Sequence, residues 1–314
     1  MSLKKMVNLF KLRVKWIISL IRVFKISHSV DNSIVKPGFF TINEGLSRPD
    51  YVYPKIIWLY WDSKVEIPSV VLLCLERVKK FCPDFDVRFL NEVSVKEFIH
   101  VPELPLQLPA AIKADYIRLK LLAQYGGVWM DSSIFINESL EWVFEKINNH
   151  DAFVFYSDEC TIDIKSPITE NWLIISPINS GFVKSWFEEF SKCIFSYDPV
   201  GYYNDLKSDK SFMQNLSRPD YLLCYISAIK VLKENKFKLL YASSASSGHY
   251  FNYKHNFNGD FVAVELACKD ENKIPRVKLI KLNSGSRIAL QKKIDSGDVI
   301  KNSYIGNIIN TLDN

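Results

Sequence analysis

The sequence predicts an α/β protein with a central sheet covered by helices. Segments typical of strands and of helices alternate as β-α-β-α-β between residues 54 and 135. Further strands are predicted at 152–156 and 171–175, and further helices at 182–195 and 220–233. With 314 residues, of which 48% are hydrophobic, the chain has ample material for a core. This alternation favours a Rossmann-like sheet.

The first core strand is predicted at Pro54–Trp61, where the sequence is PKIIWLYW. Proline is acceptable as the opening residue of a strand because its missing N–H is not needed there. A helix is predicted over Pro68–Cys82, and the partly alternating FDVRFL of Phe85–Leu90 is typical of a second strand.

The most informative stretch is Ala110–Phe135, AAIKADYIRLKLLAQYGGVWMDSSIF. Its first sixteen residues lack Gly and Pro and repeat apolar residues at helical spacing, which predicts a helix. Gly126-Gly127 ends that helix, because Gly adopts left-handed backbone conformations without steric cost. Val128–Met130 is typical of a short buried strand, and Asp131 follows at its carboxyl end. Ligands bind at such ends in open α/β sheets, so Asp131 is a candidate site residue.

Asp115 and Arg118 are three residues apart and therefore share one face of that helix. Taken alone, the pair would be an ordinary surface ion pair of little energetic value. Because it leads into Gly-Gly, a strand and Asp131, a functional interpretation is favoured. A guanidinium grips phosphate or sugar hydroxyls bidentately, and two carboxylates can hold sugar hydroxyls and a divalent cation.

The charge distribution argues against a nucleic-acid groove. Residues 1–30 carry seven Lys and Arg and no acid, which leaves 33 basic and 35 acidic side chains for the rest of the chain. No G-x-G-x-x-G and no P-loop lysine occur, which excludes the usual dinucleotide and ATP fingerprints. The six cysteines are scattered without C-x-x-C or Cys-His clusters, so a reducing cytoplasm and buried thiols are expected.

Leu3–Lys25 has apolar residues on one helical stripe and cations mostly elsewhere. Its least polar stretch, Trp16–Ile21, is too short to span a bilayer, and no signal-peptide cleavage site follows. The segment is expected to lie on an anionic membrane face; the alternative is packing on the domain or on a partner. We divide the chain into this basic helix at 1–30, a linker at 31–53 and a catalytic domain at 54–314.

Residues 114–133, ADYIRLKLLAQYGGVWMDSS, resemble the signature segment of the capsular polysaccharide synthesis family of glycosyltransferases. That family is related to the DXD-containing sugar transferases, which include yeast-type mannosyltransferases and clostridial glucosylating toxins. The shared pattern is Ser/Ala-Asp-x-x-Arg, Leu-x-x-x-Gly-Gly and a hydrophobic triplet ending in Asp. The Lys-Ile-Ile-Trp-x-x-Trp run at 55–61 and the segment 171–190 resemble the family as well.

The resemblance implies a GT-A (Rossmann-like) glycosyltransferase fold with a mixed central sheet. It implies transfer of a hexose from a nucleotide diphosphate sugar, with a UDP-sugar as the expected donor, to a lipid-linked glycan in the synthesis of capsule, O-antigen or a similar surface polysaccharide. Relatives retain the anomeric configuration, and front-face attack is the implied route because no covalent nucleophile is evident. The expected location is cytoplasmic, attached peripherally to the inner membrane face.

The resemblance also assigns roles to residues. Asp131 would bind the cation or the donor, and Asp115 with Arg118 would hold the sugar and the phosphate. Trp61 would stack on the nucleotide base; Trp58 is the second candidate, and either indole could instead belong to the core.

Ser133 stands where full DXD relatives have a second carboxylate, which weakens the expected Mn²⁺ or Mg²⁺ site. A late loop often completes such a site, and His249 is the candidate, with His255 second. Lys281 or Lys278 could neutralise the diphosphate leaving group, although a solvated basic edge strand is an equally good interpretation.

Two other classes of function remain open. A nucleotide-sugar hydrolase would use the same pocket with water as the acceptor. A non-catalytic membrane scaffold of a polysaccharide assembly complex would result if Ser133 marks a lost metal site. The sequence specifies neither the sugar, the acceptor nor the oligomeric state.

Overall fold

The computed structural model describes residues 3–62, 67–105 and 108–312. The helices and strands, in chain order, are α1 (Leu3–His28), β1 (Phe39–Ile42), β2 (Ile56–Tyr60), α2 (Ser69–Phe81), β3 (Asp86–Leu90), α3 (Ala110–Tyr125), β4 (Gly127–Met130), β5 (Ile134–Ile136), α4 (Glu141–Phe144), β6 (Ala152–Tyr156), β7 (Thr169–Ser176), α5 (Gly181–Ile194), α6 (Asn204–Lys207), α7 (Lys210–Met213), α8 (Leu223–Glu234), β8 (Leu239–Ser243), α9 (Tyr250–Lys254), α10 (Gly259–Cys268), β9 (Leu279–Lys281), α11 (Ser284–Asp295) and α12 (Tyr304–Leu312). Short 3₁₀ turns cover Ser94–Glu97 and Glu271–Lys273.

The central sheet has seven strands in the order β1-β8-β6-β7-β4-β2-β3. Strands β3, β2 and β4 are parallel, β7 runs antiparallel to both β4 and β6, and β6 is parallel to β8. A separate antiparallel pair is formed by β5 and β9. The predicted α/β class with a mixed central sheet is therefore confirmed.

Two glycines turn the chain from α3 into β4. Gly126 and Gly127 have φ values of 65° and 92°, which lie in the region that favours glycine. A Cβ at Gly126 would lie 2.9 Å from the Ser176 carbonyl oxygen, and a Cβ at Gly127 would lie 2.8 Å from that of Ile56. Only glycine fits both positions, and the tight turn fixes where β4 delivers Asp131.

The sheet carries apolar layers on both faces. Helices α3, α5 and α8 cover one face, and their core includes Trp58, Leu122 and Trp186. The opposite face packs around residues such as Leu59 and Trp172. A third cluster joins α2, α10, α11 and α12 around Phe135. With both faces buried, strands β2, β4 and β6 are apolar along their whole length, as their sequences indicate.

Residues 31–53, predicted as a linker, lie against the domain. Strand β1 pairs antiparallel with β8 at the edge of the central sheet. The backbone N–H of Asp31 donates to the carbonyl of Lys273, and that of Val35 donates to the carbonyl of Arg276. The segment thus contributes hydrogen bonds to the catalytic fold.

Helix α1 joins the domain at the helix's carboxyl end and extends away from it. From Lys11 to Arg22 its side chains are exposed, including Trp16 at 65%. Contact with the body is made by α10, where the Arg22 guanidinium lies 5.7 Å from the centre of the Phe261 ring. No helix in the described ranges is both long enough and apolar enough to cross a bilayer.

Candidate active site

A cleft of about 520 Å³ opens at the carboxyl ends of β2 and β4. Its walls come from the residues after these two strands, from one face of α3, from β7, from the residues around the start of α8, and from the region of β9 and α11. The cleft therefore lies where parallel strands end, which is the ligand-binding edge of an open α/β sheet. Asp115, Arg118 and Asp131, predicted from the sequence, meet there.

Arg118 is the centre of this arrangement. Its Nη1 donates to Asp115 Oδ1 and its Nη2 donates to Asp131 Oδ1 at 2.8 Å. The guanidinium carbon lies 4.9 Å from the centre of the Trp129 ring, a cation–π distance. Arg118 is 4% exposed, and its Nε is buried with no hydrogen-bond partner among the described residues. One buried cation thus holds two carboxylates in a fixed geometry.

Asp131 is bonded at both carboxylate oxygens. Oδ1 accepts from Arg118 and from Trp129 Nε1 at 3.0 Å, and Oδ2 lies 3.0 Å from Lys281 Nζ. Its backbone N–H donates to the carbonyl of Trp172 on β7. Burial alone would raise the pKa of Asp131, but the charges of Lys281 and Arg118 and the Trp129 bond lower it to about 2. The group is therefore a carboxylate at every physiological pH.

In Asp115, unlike Asp131, the effect of burial on the pKa outweighs that of the neighbouring cation. Burial raises the pKa of its carboxyl to about 6, and the nearby charge of Asp131 adds to this, while Arg118 opposes it. Oδ1 also accepts from Asn171 Nδ2 at 3.0 Å. The two carboxylates share one arginine and titrate at well-separated pH values. Of these two carboxylates, Asp115 is the one whose charge changes near neutrality.

Asn171 was missed from the sequence, although a signal was present. Strand β7 is fully buried, yet it begins with three polar residues, Thr169, Glu170 and Asn171. Buried polar side chains require partners, and each of these has one: Tyr241, Trp172 and Asp115 respectively. A polar triplet in an otherwise apolar core strand therefore indicated the site.

The structure places the two late lysines, Lys278 and Lys281, in different surroundings. Lys281 enters the cleft, where its Nζ lies 3.0 Å from Asp131 Oδ2, 3.0 Å from Ser133 Oγ and 3.1 Å from the Leu282 carbonyl. Lys278, three residues earlier, pairs with Glu138 at the other end of the β5–β9 pair. Lys281 is thus the late lysine that can meet a bound anion in the cleft.

His249 lies behind the cleft and does not line it. Its Nδ1 is 2.9 Å from Asn252 Nδ2, so it accepts there and carries its proton on Nε2, which faces Glu170 Oε2 at 3.7 Å. Burial and the charge of Lys281 lower its pKa to about 3. His255 pairs with Glu265 at 2.6 Å, in a separate ion cluster with Lys254 and Lys269.

Glu170 is a buried carboxyl beside the site. It accepts from the Trp172 indole and, at 2.9 Å, from the Ser244 hydroxyl. Burial raises its pKa to about 7, against the effect of these two hydrogen bonds. Near neutrality Glu170 is therefore partly protonated, and the neighbouring His249 is neutral.

The two tryptophans of the first strand have different environments. Trp58 is fully buried, and its Nε1 donates to the Gly126 carbonyl at 3.0 Å. Trp61, one residue past the end of β2, lines the cleft. The Arg287 guanidinium carbon lies 4.9 Å from the centre of the Trp61 ring. Of these two indoles, Trp61 is therefore the one that lines the cleft and that a bound ligand can reach.

Arg287 on α11 is a second site residue that the sequence analysis did not identify. It lines the cleft, and burial lowers its pKa. Tyr221 and Tyr225, around the start of α8, form the opposite wall. These residues come from distant parts of the chain, and their helical segments carried no motif.

A larger cavity of about 910 Å³ lies at the other end of the β5–β9 pair, near Asn137 and Lys278. Its central side chains are bonded to one another: Lys278 pairs with Glu138, and Arg77 donates to Asn137. It lacks the carboxylate–guanidinium geometry of the smaller cleft, which we therefore take as the candidate active site.

The fold and cleft define an α/β protein with a charged cleft at the carboxyl ends of its strands β2 and β4. Residues 26–206 match the family model described as "Capsular polysaccharide synthesis protein". The match covers more than half of the chain, and the protein belongs to this family. The resemblance inferred from the signature segment is thereby confirmed.

Several solved glycosyltransferase structures are similar to the chain. The PaToxG glycosyltransferase is 14% identical, with 69% of this chain and 88% of that one covered and a TM-score of 0.35. A glycosyltransferase involved in glycosylation of the PBCV-1 major capsid is 10% identical, with coverage of 77% and 100% and a TM-score of 0.40. The galactosyltransferase LgtC, in complex with donor and acceptor sugar analogs, is 13% identical, with coverage of 78% and 96% and a TM-score of 0.39. No curated protein sequence matches the chain.

Proposed function

We propose that the protein is a retaining glycosyltransferase that moves a hexose from a UDP-sugar to a lipid-linked glycan in surface polysaccharide synthesis. The observation that carries this proposal is the buried Arg118 held between Asp115 and Asp131 at the carboxyl edge of the sheet. Family membership places the protein in capsular polysaccharide synthesis. The donor and the acceptor are inferences from the chemistry of the cleft.

The cleft supplies what glycosyl transfer requires. The bond between C1 and the β-phosphate oxygen breaks with its electron pair staying on the phosphate, while an acceptor oxygen bonds to C1. The acceptor proton passes to the departing phosphate oxygen, so charge and atoms balance. Cations that stabilise the negative charge on the leaving diphosphate lower the barrier. Lys281 and Arg287 line the cleft in position to do so.

The carboxylates and Asn171 would hold the sugar. Asp115, Asp131 and Asn171 offer acceptors and an amide donor on one side of the cleft. Both carboxylates are already bonded to Arg118, which suits a role in orienting hydroxyls more than a role as nucleophile. Front-face attack with retention is therefore the route that we propose. Trp61 would cover the uracil base.

A divalent cation is the cofactor that the resemblance implies, with Asp131 and His249 as ligands. The donor set does not fit it. Asp131 is neutralised by two cations, Ser133 supplies a hydroxyl, and the lone pair of His249 Nδ1 is taken by Asn252. Within the described ranges, no three His, Cys, Asp or Glu side chains form a metal-binding group.

A binding panel tests the donor assignment. Purified protein is titrated calorimetrically with UDP, GDP, CMP and the corresponding sugar nucleotides. Selective binding of UDP and one UDP-hexose is the expected result. Release of UDP at the full rate without acceptor would favour the hydrolase, and absence of nucleotide binding would favour the scaffold.

We also propose that α1 attaches the enzyme to the inner face of the membrane. Exposed Trp16, Ile17 and Ile21 supply an apolar contact, and Lys11 and Lys15 are exposed nearby. Such a helix lies in the interface of an anionic bilayer. This location would bring the cleft close to a lipid-linked acceptor.

Removing residues 1–21 is expected to shift the protein from the vesicle fraction to the supernatant in sedimentation with phosphatidylglycerol vesicles. Lys11→Gln/Lys15→Gln should weaken this binding by about 30-fold, since each cation near the surface contributes about 1 kcal/mol. Lys79→Gln/Lys80→Gln on α2 is the matched control and should bind as the wild type does. Unchanged sedimentation of the truncated protein would rule out this role of α1.

The rate of sugar transfer should fall at acid pH because of Asp115. Its pKa of about 6 means that kcat/KM declines with falling pH through that value, as the carboxylate gains a proton and holds Arg118 and the sugar less well. Asp131, with a pKa of about 2, stays ionised throughout. In a pH profile, Asp115→Asn should abolish this acid limb, whereas Glu170→Gln should keep it. The reverse pattern would assign the limb to Glu170.

A further inference from the structure

The Lys281 ammonium occupies the position at which a divalent ion would be held. It lies 3.0 Å from Asp131 Oδ2 and 3.0 Å from Ser133 Oγ, the two side chains that follow β4 at a spacing of two. A metal ion bound by these oxygens would have to displace the ammonium. The two cations therefore exclude one another.

Hydrogen bonds to the backbone N–H and to the backbone carbonyl of Lys281 hold the residue in this position. Its N–H donates to the Gly248 carbonyl at 2.7 Å, and its own carbonyl accepts from Asn252 Nδ2 at 2.7 Å. Strand β9 pairs with β5 so that Lys281 stands opposite Ile134, one residue after Ser133. The Lys281 side chain is 12% exposed. Such a lysine is prearranged and loses little conformational freedom when it binds an anion.

The weakest contact of the ammonium is the one that a ligand would replace. Its three protons point at the Asp131 carboxylate, the Ser133 hydroxyl and the neutral Leu282 carbonyl, the last at 3.1 Å. A phosphate oxygen is a charged acceptor and forms a stronger bond than a neutral carbonyl. It can take this third position without breaking the pair with Asp131.

The charges of the cleft also favour binding of a phosphate at the Lys281 ammonium. Asp115 and Asp131 are balanced by Arg118 and Lys281, Arg287 adds a cation on the cleft wall, and Asp62, which also lines the cleft, pairs with Lys113. A bound diphosphate thus meets cations supplied by side chains, Lys281 and Arg287. A divalent ion needs several oxygen ligands, including carboxylates, and Asp131, the carboxylate in contact with the Lys281 ammonium, is already paired with two cations.

We propose that Lys281 is the resident cation of the donor site and that the nucleoside diphosphate binds there without a divalent metal. This inference rests on the proposed transferase function. Lys281 would stabilise the charge left on the diphosphate when the bond to C1 breaks.

The test measures the affinity for UDP by calorimetry in excess Mn²⁺ and in excess EDTA. The wild type is expected to bind equally in both. Lys281→Met should lose about 30-fold in affinity under both conditions, the size expected for a lost charge-assisted contact. Lys278→Met is the matched control: it removes a paired lysine of the same segment outside the cleft and should bind as the wild type does.

A gain-of-function variant tests the position of the cation directly. Ser133→Asp/Lys281→Ala supplies the second carboxylate and vacates the site, so its UDP affinity should rise at least about tenfold with Mn²⁺. A double variant indifferent to Mn²⁺ would overturn the proposal. Wild-type binding that requires Mn²⁺ would overturn it and leave the transferase assignment intact. No nucleotide binding under either condition would overturn both.

Discussion

Replacing Asp131 by Asn is expected to lower kcat/KM for sugar transfer by about 10³-fold, the size found when a preorganised electrostatic contact to a transition state is lost. The variant keeps the shape of the side chain and removes its charge. Lys281 then loses its carboxylate partner, and Arg118 keeps only Asp115. Neither Lys281 nor Arg118 is then held by Asp131 in its present position in the cleft.

The measurement is steady-state kinetics with the donor identified by the binding panel, together with urea unfolding. Asp158→Asn is the matched control. Its carboxylate also lies just past the carboxyl end of a strand, β6. There it accepts from Ser243 Oγ at 2.7 Å and from the Ala245 N–H at 2.8 Å. We expect that variant to keep wild-type kinetics. An Asp131→Asn enzyme within about threefold of the wild type would contradict the electrostatic role assigned to this carboxylate.

Arg118→Lys should be nearly as damaging, with a loss of about 10²-fold in kcat/KM. One ammonium cannot reproduce two N–H contacts in a planar fork, so Asp115 and Asp131 would no longer be held by a common cation. Removing a partner from a buried charge cluster also destabilises the fold, by about 3 kcal/mol. Kinetics and urea unfolding measure the two effects separately.

The pH profile of activity distinguishes a role of Arg118 in the site from a purely structural role. Arg118 lowers the pKa of Asp115, so in Arg118→Met the acid limb of the pH profile should move above its wild-type value of about 6. Arg88→Lys is the matched control, because Arg88 pairs with Asp86 on the edge strand β3. An Arg118→Met enzyme with an unshifted acid limb would argue against direct coupling of Asp115 and Arg118.

The central part of the site was predictable because it is local in sequence. Helix α3, the glycine turn and β4 place Asp115, Arg118 and Asp131 within seventeen consecutive residues. Periodicity identifies the helix, and the glycines identify the turn. Their distances in space then follow from the crossover between a helix and an adjacent strand.

The remaining site residues depend on tertiary contacts that a sequence pattern does not encode. The contact between Lys281 and Ser133 joins positions 148 residues apart, and Arg287 reaches the cleft from a helix near the carboxyl end. Strand β1 is a four-residue edge strand, too short to be separated from the surrounding loop by periodicity. The two tryptophans differ because β2 ends at Tyr60: Trp58 lies between neighbouring strands, whereas Trp61 lies beyond them.

The most direct test of the account follows a labelled sugar. Wild-type protein is incubated with the radiolabelled UDP-hexose that it binds and with a lipid extract as acceptor source, and the label is measured in the lipid fraction. We expect time-dependent incorporation that Asp131→Asn abolishes and Asp158→Asn preserves. Label released only as free sugar, or incorporation that does not depend on Asp131, would contradict the proposal that this cleft transfers a hexose to a lipid-linked glycan.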